Sequence, residues 1–351
     1  MALGFLKDFR KNVEKLSKSI SLGLRPPRGW WSTGNYALNK AFSGSFTRAI
    51  PIGRMVLLAG PSASGKSFMA NSIAKHAQVA GAHVLYMDSE NAVDTDYMTK
   101  IGMKVDEENL TYVQVDTVED VNRVISEFFD GYIKTYGVDN DNQPPVLVIL
   151  DSIAMLSTET EQENFDKKGE IKADQGIRAK RIKAMLRMMV KKLARVNGAG
   201  IATDHVYPQD VMAGDGAWAI TNSIKFAMSI IGIVTKLNLK EDTDIVGVRM
   251  RFMTYKSRFA KNGTKVELEV PYDRGMSPFT GLEEMLTDMG VIVKEGHSYV
   301  SNLPTGQIKF KWKDIDQTIF DKLLTHPLIQ KSESDGTETF DESDKDDESE
   351  E

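Results

Sequence analysis

The sequence predicts an α/β fold, a mostly parallel central sheet flanked by helices, and three observations predict it. Short apolar runs close on polar or glycine residues at 55–60, 83–90, 110–115 and 146–152, with further strand-like runs at 200–206 and 245–255. Helix-like segments, such as 67–79 and 118–136, lie between several of them. That alternation builds buried parallel sheets. The first run also leads directly into a glycine-rich phosphate-binding motif.

Leu3, Leu6, Phe9, Val13, Leu16 and Ile20 fall at helical spacing and predict an amphipathic helix of roughly 18 residues at the start. Its own domain or a neighbouring subunit would cover that stripe. Residues 23–34, with Pro26 and Pro27, read as a linker. The domains expected are 1–31, the helix and linker; 32–275, the core; 276–331, a small C-terminal segment; and 332–351, a tail too poor in apolar residues to fold.

Length, 41% hydrophobic and 27% charged content fit a globular protein. No cysteine is present, which excludes disulfides, thiolate metal sites and cysteine nucleophiles. No apolar run is long enough for a membrane span, and charges interrupt the N-terminus where a signal peptide is continuous. A cytoplasmic location and no membrane partner are therefore expected. The net charge of −6 argues against nucleic acid until it is divided. Residues 332–351 hold 11 acids and one base, so the tail carries −10 and the rest +4.

Gly60, Pro61, Ser62, Ala63, Ser64, Gly65, Lys66 and Ser67 form a complete G-x-x-x-x-G-K-[ST] between a predicted strand and a predicted helix. Its amides and the helix N-terminus suit phosphates, Lys66 should reach the β- and γ-phosphates, and the Ser67 hydroxyl should ligate Mg²⁺. The aliphatic run at 146–150 delivers Asp151 as the second Mg²⁺ ligand. ATP and Mg²⁺ are the cofactors expected. A hydrolase also needs a group to activate water. The run 83–90 delivers Asp88 and Glu90 beside the phosphate loop, and Glu90 is the candidate base. An acid after a strand is more often a surface acid.

Several of these segments, in this order from about residue 32 to 293, resemble RecA-type strand-exchange recombinases, most closely the UvsX branch of T-even-type bacteriophages. The resemblance is carried by STGNYALNKAF…IPIGRMVLLAGPSASGKS, DSENAVDTDYMTKIGM, VLVILDSIAML, NSIKF and TYKSR. It implies Glu90 as water-activating base, with Asp94 and Tyr97 at the adenine. It places His205 as γ-phosphate sensor, where the phage branch has His and bacterial RecA has Gln. It places NSIKF (222–226) at the strand entry after the second DNA loop. It makes Lys256 and Arg258 the bases that reach the ATP of the adjacent subunit, and sets Tyr272 near the adenine from across that interface. Lys180 and Arg187 fall at the family's DNA contacts. The second DNA loop is shorter than in bacterial RecA, and Ile220-Thr221 replace its paired glycines.

Two segments suit a DNA surface. Residues 157–176 are polar and read as a mobile loop leading into a helix that bears Arg178, Lys180, Arg181, Lys183, Arg187, Lys191, Lys192 and Arg195 with no acid, closed by Gly198 as C-cap. Phosphate contact by some of these is favoured over a merely solvated face. Residues 206–221 offer Tyr207, Met212 and Trp218 for stacking or wedging between bases, with Gly214 and Gly216 for flexibility. Trp218 could equally anchor the loop to its own domain.

The reading is an ATP-dependent recombinase that polymerises head to tail on single-stranded DNA and pairs it with double-stranded DNA. A phage single-strand-binding protein and a recombination mediator would be its partners, and the infected host cell its location if phage-encoded. A hexameric helicase and a regulatory ATPase of the same fold are the alternatives.

Overall fold

A computed structural model of the chain describes residues 2–16, 26–140, 142–168, 175–207, 218–273 and 275–335. Helix α1 is Ala2–Leu16. A short pair, β1 (Trp30–Trp31) and β2 (Ile50–Pro51), brackets α2 (Tyr36–Ser43). Then follow β3 (Met55–Gly60), α3 (Lys66–Val79), β4 (His83–Asp88), α4 (Thr95–Ile101), β5 (Leu110–Gln114), α5 (Val118–Tyr136) and β6 (Val146–Asp151). After them come α6 (Glu159–Lys168), α7 (Gln175–Leu193), β7 (Gly198–His205), α8 (Asn222–Ala227), β8 (Ile230–Glu241), β9 (Asp244–Ser257) and β10 (Lys265–Pro271). The C-terminal part holds α9 (Leu282–Asp288), the three-stranded sheet β11 (Val293–Glu295), β12 (Ser298–Leu303) and β13 (Gly306–Phe310), then α10 (Gln317–Leu324) and α11 (Pro327–Asp335).

The main sheet has eight strands in the order β10-β9-β8-β3-β7-β6-β4-β5. Pairing is parallel from β8 through β3 to β5, and antiparallel in β8–β9 and β9–β10. β3 and β6 are buried at every position, as a sheet covered on both faces requires. Alternation divides the side chains. Val56 and Leu58 face Met69, Ile73 and Ala77 of α3, whereas Met55 and Leu57 face α5 and α7. Because β3, β4, β6 and β7 run in one direction, their carboxyl ends and the loops after them converge at one edge, where α/β sheets place their ligands.

The C-terminal residues are not a separate core. Leu282, Leu286, Ile292, Phe320 and Ile329 join the cluster that holds α2 and α3, and the Tyr36 and Phe320 rings lie 4.0 Å apart. Asn35 fastens the joint. Its Oδ1 caps α2 by accepting from Leu38 N (2.7 Å), while Nδ2 donates to Ser277 O (3.0 Å) and Thr280 O (2.9 Å).

Several boundaries differ from expectation. The predicted linker already belongs to the core at Trp31, which is buried under β1–β2 pairing. Residues 157–176 are not a loop throughout. Thr158 and Glu161 make a reciprocal cap, with Glu161 N donating to Thr158 Oγ1 (3.2 Å) and Thr158 N to Glu161 Oε2 (2.7 Å), and this starts α6. NSIKF is helix α8 and not a strand entry, and Gly198 opens β7 and does not cap α7. The tail begins later than 332. Glu333 lies in α11, and its Oε1 accepts from Ser45 Oγ and Phe46 N, both at 3.0 Å. Met212, Gly214, Gly216 and residues 336–351 lie outside the described residues.

Candidate active site

The phosphate loop links β3 to α3. A Cβ on Gly60 would stand 2.1 Å from Val234 O, and one on Gly65, at φ +97°, would stand 2.7 Å from Met250 Cε. Only glycine lets the loop pass this close to β8 and β9. α3 starts with no side-chain cap bond and no acid in its first turn, which leaves its amide groups for an anion. Ser64 Oγ is buried in the loop without a partner. Lys66 Nζ donates to Pro61 O (2.8 Å) and Gly60 O (3.2 Å). Burial pushes its ammonium below the ordinary lysine range, against the pull of Glu90, Asp151 and Asp204. An orphan hydroxyl, an uncapped helix end and a half-desolvated lysine are served together by a bound phosphate, so these residues fit the nucleotide expected.

Asp151 ends β6 on the α3 face of the sheet. Its Oδ2 accepts from Tyr86 OH (2.8 Å), and Oδ1 accepts from Thr203 Oγ1. No group of three or more His, Cys, Asp or Glu that could hold a metal occurs among the described residues. Ser67 and Asp151 fit Mg²⁺ as it is usually held, by one carboxylate and a hydroxyl with the remaining positions taken by phosphate oxygens and water. Ser89 brackets the next residue: its Oγ accepts from Ser152 N (2.9 Å) and donates to Ser152 O (2.7 Å), across a cis Asp151–Ser152 peptide.

Glu90 follows β4, and its position is set by Asp88. The buried Asp88 carboxylate accepts from Glu90 N (2.7 Å), Asn91 N (2.9 Å) and Tyr112 OH (2.7 Å). Asp88 thus shapes the turn that presents Glu90. Glu90 Oε1 lies 2.6 Å from His205 Nε2. Burial raises the Glu90 pKa, but the Ser152 and His205 side chains and the Lys66 charge more than offset it and hold the carboxyl below its ordinary range. A carboxylate that is ionised at neutral pH beside a phosphate site meets the requirement of a base.

Asp94 caps α4, its Oδ1 accepting from Tyr97 N (2.6 Å). Tyr97, Tyr272, Gly65 and Phe68 share the wall of a cavity of about 610 Å³. Burial and the Asp151 charge push the Tyr97 hydroxyl up to about 12. Tyr272 thus stands on the same cavity as Tyr97 of its own chain. The antiparallel β9–β10 pair brings the end of β10 round to α3 and α4.

Lys256 lies on β9 and its Nζ donates to Lys225 O and to Met228 O (2.9 Å) at the C-terminal end of α8, a favourable place for a cation. Burial and Arg258 push its pKa down. Arg258 is exposed, and its guanidinium makes no hydrogen bond or ion pair among the described residues.

His205 joins this site to the second loop. Val206 N, next in the chain, donates to Gly60 O (3.2 Å), and Ala219 N donates to Tyr207 O (3.1 Å), so both stems of the loop are fixed. Tyr207 is 60% exposed. Trp218 is partly buried and packs against the core cluster on the α5 and α7 side of the sheet. That packing fits the anchoring alternative for Trp218, and Tyr207 is the more exposed of the two. Lys180 and Arg187 are exposed on α7.

The sequence reading missed the groups that hold its candidates in place. Tyr86, Tyr112 and Thr203 orient the acids, and Asp204, buried beside His205, has its carboxyl pushed up to about 6 by burial. Alternation along β7 was the available signal, since it sets Thr203 and His205 on one face and Asp204 on the other.

The family model described as the RecA N-terminal domain matches residues 25–277. A RecA protein of Rhodococcus jostii (strain RHA1) is 30% identical over 299 residues, 84% of this chain and 80% of that one. A RecA protein of Frankia alni is 29% identical over 279 residues, 78% of this chain and 75% of that one. Among solved structures, the RadB recombinase is similar with a TM-score of 0.49 and 17% identity, covering 70% of this chain and 98% of that one. On the match across residues 25–277 and the Rhodococcus relative, the chain belongs to the RecA family.

Proposed function

We propose that this protein is an ATP-dependent recombinase that polymerises on single-stranded DNA, hydrolyses ATP, and exchanges strands with a homologous duplex. The observation that carries this is the 2.6 Å contact of Glu90 with His205. One residue beside the phosphates thereby touches the strand end from which the second DNA loop leaves. A γ-phosphate that draws Glu90 or His205 away from the other changes the stem of that loop, so nucleotide state and DNA contact share one element.

Bound Mg²⁺ would neutralise phosphate charge. The chain's own part is to cradle the phosphates with the loop amides and Lys66, to hold Asp151 by Tyr86 and Thr203, and to take a proton from water at Glu90. Lys256 and Arg258 are the bases for a neighbour's nucleotide. Phe226, 77% exposed on α8 next to the Lys225 carbonyl that holds Lys256, supports burial of this face in an assembly.

The head-to-tail contact uses α1. Phe5 and Phe9 stack at 6.2 Å, are 70% and 51% exposed, and have Leu6 beside them. β5 is an edge of the main sheet, and a cavity of about 530 Å³ opens between it and α5, lined by Leu85, Val113, Val124 and Phe128 with Thr111, Arg123 and Glu127 at its side. The apolar side of α1, with Lys7, Arg10 and Lys11 around it, complements that groove on the next subunit. A heterologous contact of this kind extends without closing. The sequence likeness to the T-even phage branch supports a cytoplasmic setting in an infected cell, with a single-strand-binding protein and a mediator as partners.

Strand exchange between a circular single strand and linear duplex, with wild type and Lys66→Ala, tests the reading. Wild type should give joint molecules only with ATP, and Lys66→Ala none. Closed rings in electron micrographs with ATP and single-stranded DNA would sink it in favour of a helicase.

A further inference from the structure

The cavity of about 610 Å³ that holds Tyr97 and Tyr272 is longer than its role at the base requires. Its wall follows α3 from Gly65 to His76, which at the helical rise is about 16 Å. α3 and α4 both run away from the carboxyl edge of the sheet. The upper end of the cavity, with Gly65, Phe68 and Tyr272, therefore lies at the phosphate loop. The lower end lies between the last turns of α3 and α4, and is lined by Ser72, Lys75, His76 and Lys100.

Every polar group at that lower end can donate, and none is engaged. Ser72 is 7% exposed. A buried helical hydroxyl ordinarily bonds back to a carbonyl one turn earlier, as Thr99 does to Thr95 O and Thr287 to Glu283 O. Ser72 Oγ makes no such bond, and no other among the described residues. Lys100 has Asp96 one turn before it on α4, the spacing at which opposite charges meet on a helix. Glu163 and Lys167 do meet so on α6. Lys100 and Asp96 do not, and Lys100 stands on the cavity wall instead. Lys75 crosses from α3 to the end of α4, where a Cβ on Gly102 would stand 3.2 Å from its Nζ. Neither lysine has a hydrogen bond or ion pair among the described residues. The His76 ring closes the bottom over Gly34, where a Cβ would stand 1.8 Å from Nε2. Burial and the Lys75 charge hold its imidazole below the ordinary range, so at neutral pH the ring is uncharged and offers one N–H.

The one acid on the cavity wall, Asp273, follows Tyr272 at the upper end. Two ammonium groups from different helices thus face one chamber, beside a buried hydroxyl with nothing to donate to. An unpartnered buried donor and two like charges each cost stability. A single small anion with several acceptor oxygens removes both costs.

We infer that the lower end of this cavity binds a tetrahedral oxyanion of the phosphate class, held by Ser72 Oγ, Lys75 Nζ, Lys100 Nζ and the His76 ring. The site is separate from the phosphate loop, two to three turns further along α3. The inference rests on the nucleotide reading only in that the nucleotide fills the upper end. The anion has two sources, free inorganic phosphate or the phosphoryl group of a small phosphoester.

The test is isothermal titration of the full chain, saturated with Mg²⁺ and a non-hydrolysable ATP analogue so that the phosphate loop is filled. Inorganic phosphate is the first titrant and phenyl phosphate the second, at constant ionic strength. One anion should bind per chain, and the tighter of the two identifies the source. Lys75→Gln and Lys100→Gln should each weaken it by up to about fivefold, and Ser72→Ala by about tenfold or more. Lys134→Gln, exposed on α5, should bind as wild type does. Melting temperatures of the three site variants without phosphate should equal or exceed that of wild type, because a repulsion or an unpartnered buried hydroxyl has been removed. That separates a lost ligand from lost folding. Lys66→Ala should lose the analogue and keep the phosphate. No anion bound to the analogue-loaded wild type, or unchanged affinity in the Lys75→Gln, Lys100→Gln double variant, overturns the site and leaves the nucleotide reading standing. Wild-type affinity of Lys66→Ala for the analogue overturns the nucleotide reading instead.

Discussion

Glu90→Gln isolates the chemical step. The substitution keeps the size of the side chain and a hydrogen-bonding atom toward His205 Nε2, 2.6 Å away. It removes only the negative charge and the ability to accept a proton. Nucleotide binding rests on the loop amides and Lys66, which the change does not touch, so affinity for ATP should stay within a few-fold. Positioned general bases contribute about 10²–10⁴-fold, so hydrolysis should fall by that factor, or about 3–5 kcal/mol in barrier. The assay is single-turnover ATP hydrolysis with Mg²⁺ and oligo-dT, with nucleotide affinity measured separately. The pH dependence is fixed in sign. Glu90 is held below its ordinary range by its partners, so the base stays ionised through pH 6–8 and the wild-type rate should lose activity to this group only on acidification below the ordinary carboxylate range. The same depressed pKa stabilises the fold above the unfolded value and ceases to do so as pH falls through the folded one. The stability gap between wild type and Glu90→Gln should therefore narrow in acid. Hydrolysis within tenfold of wild type, or an equal loss of rate and nucleotide affinity, would refute the assignment.

Three further outcomes are expected. Phe9→Asp places a charge on the exposed apolar side of α1 and should abolish filaments in electron micrographs while the far-ultraviolet circular dichroism stays that of wild type. Asp204 has its carboxyl raised to about 6 by burial; the folded state therefore keeps the proton longer than the unfolded one, and stability declines as pH rises from about 4 to about 6. Asp204→Asn should be more stable than wild type at pH 7.5, by at most about 3 kcal/mol, and no more stable at pH 4, as thermal melts will show. Deleting 336–351 should raise double-strand binding at a given salt and leave the melting temperature unchanged, whereas deleting 332–351 should also lower it, because Glu333 is bonded to Ser45 and Phe46.

How much of this was legible in the sequence follows from the range of the forces involved. The phosphate loop was readable because strand, glycines, lysine and helix are contiguous, and the same run of chain that folds the loop carries the candidate phosphate ligands. Asp151 was readable because a buried parallel strand announces itself as an unbroken aliphatic run. α6 was missed because its start depends on a reciprocal pair of side-chain to backbone bonds in a very polar segment, with no apolar period to signal it. Trp31 was assigned to a linker because its strand partner, Ile50, lies across α2. That Tyr272 shares a cavity with Tyr97 was not legible for a related reason. Only the antiparallel return of β9 and β10 brings it to Tyr97, and a sequence alone does not say which edge of a sheet receives a hairpin.

Charge shows the same limit. α7 carries seven bases without an acid, and in one dimension they are equivalent. Packing makes them unequal, since α5 supplies Glu119 and Asp130 on one flank and the carbonyls of Ala154 and Leu156 take Arg178. What remains is an ordered file of four, and an ordered file has a different consequence from a diffuse positive patch. A patch raises the encounter rate and is screened by salt without preference for a path. A file lines its charges up along one direction, that of the helix axis. The whole-chain charge of −6 contains neither fact, because the acids that make it negative and the bases that oppose them belong to different segments of the sequence.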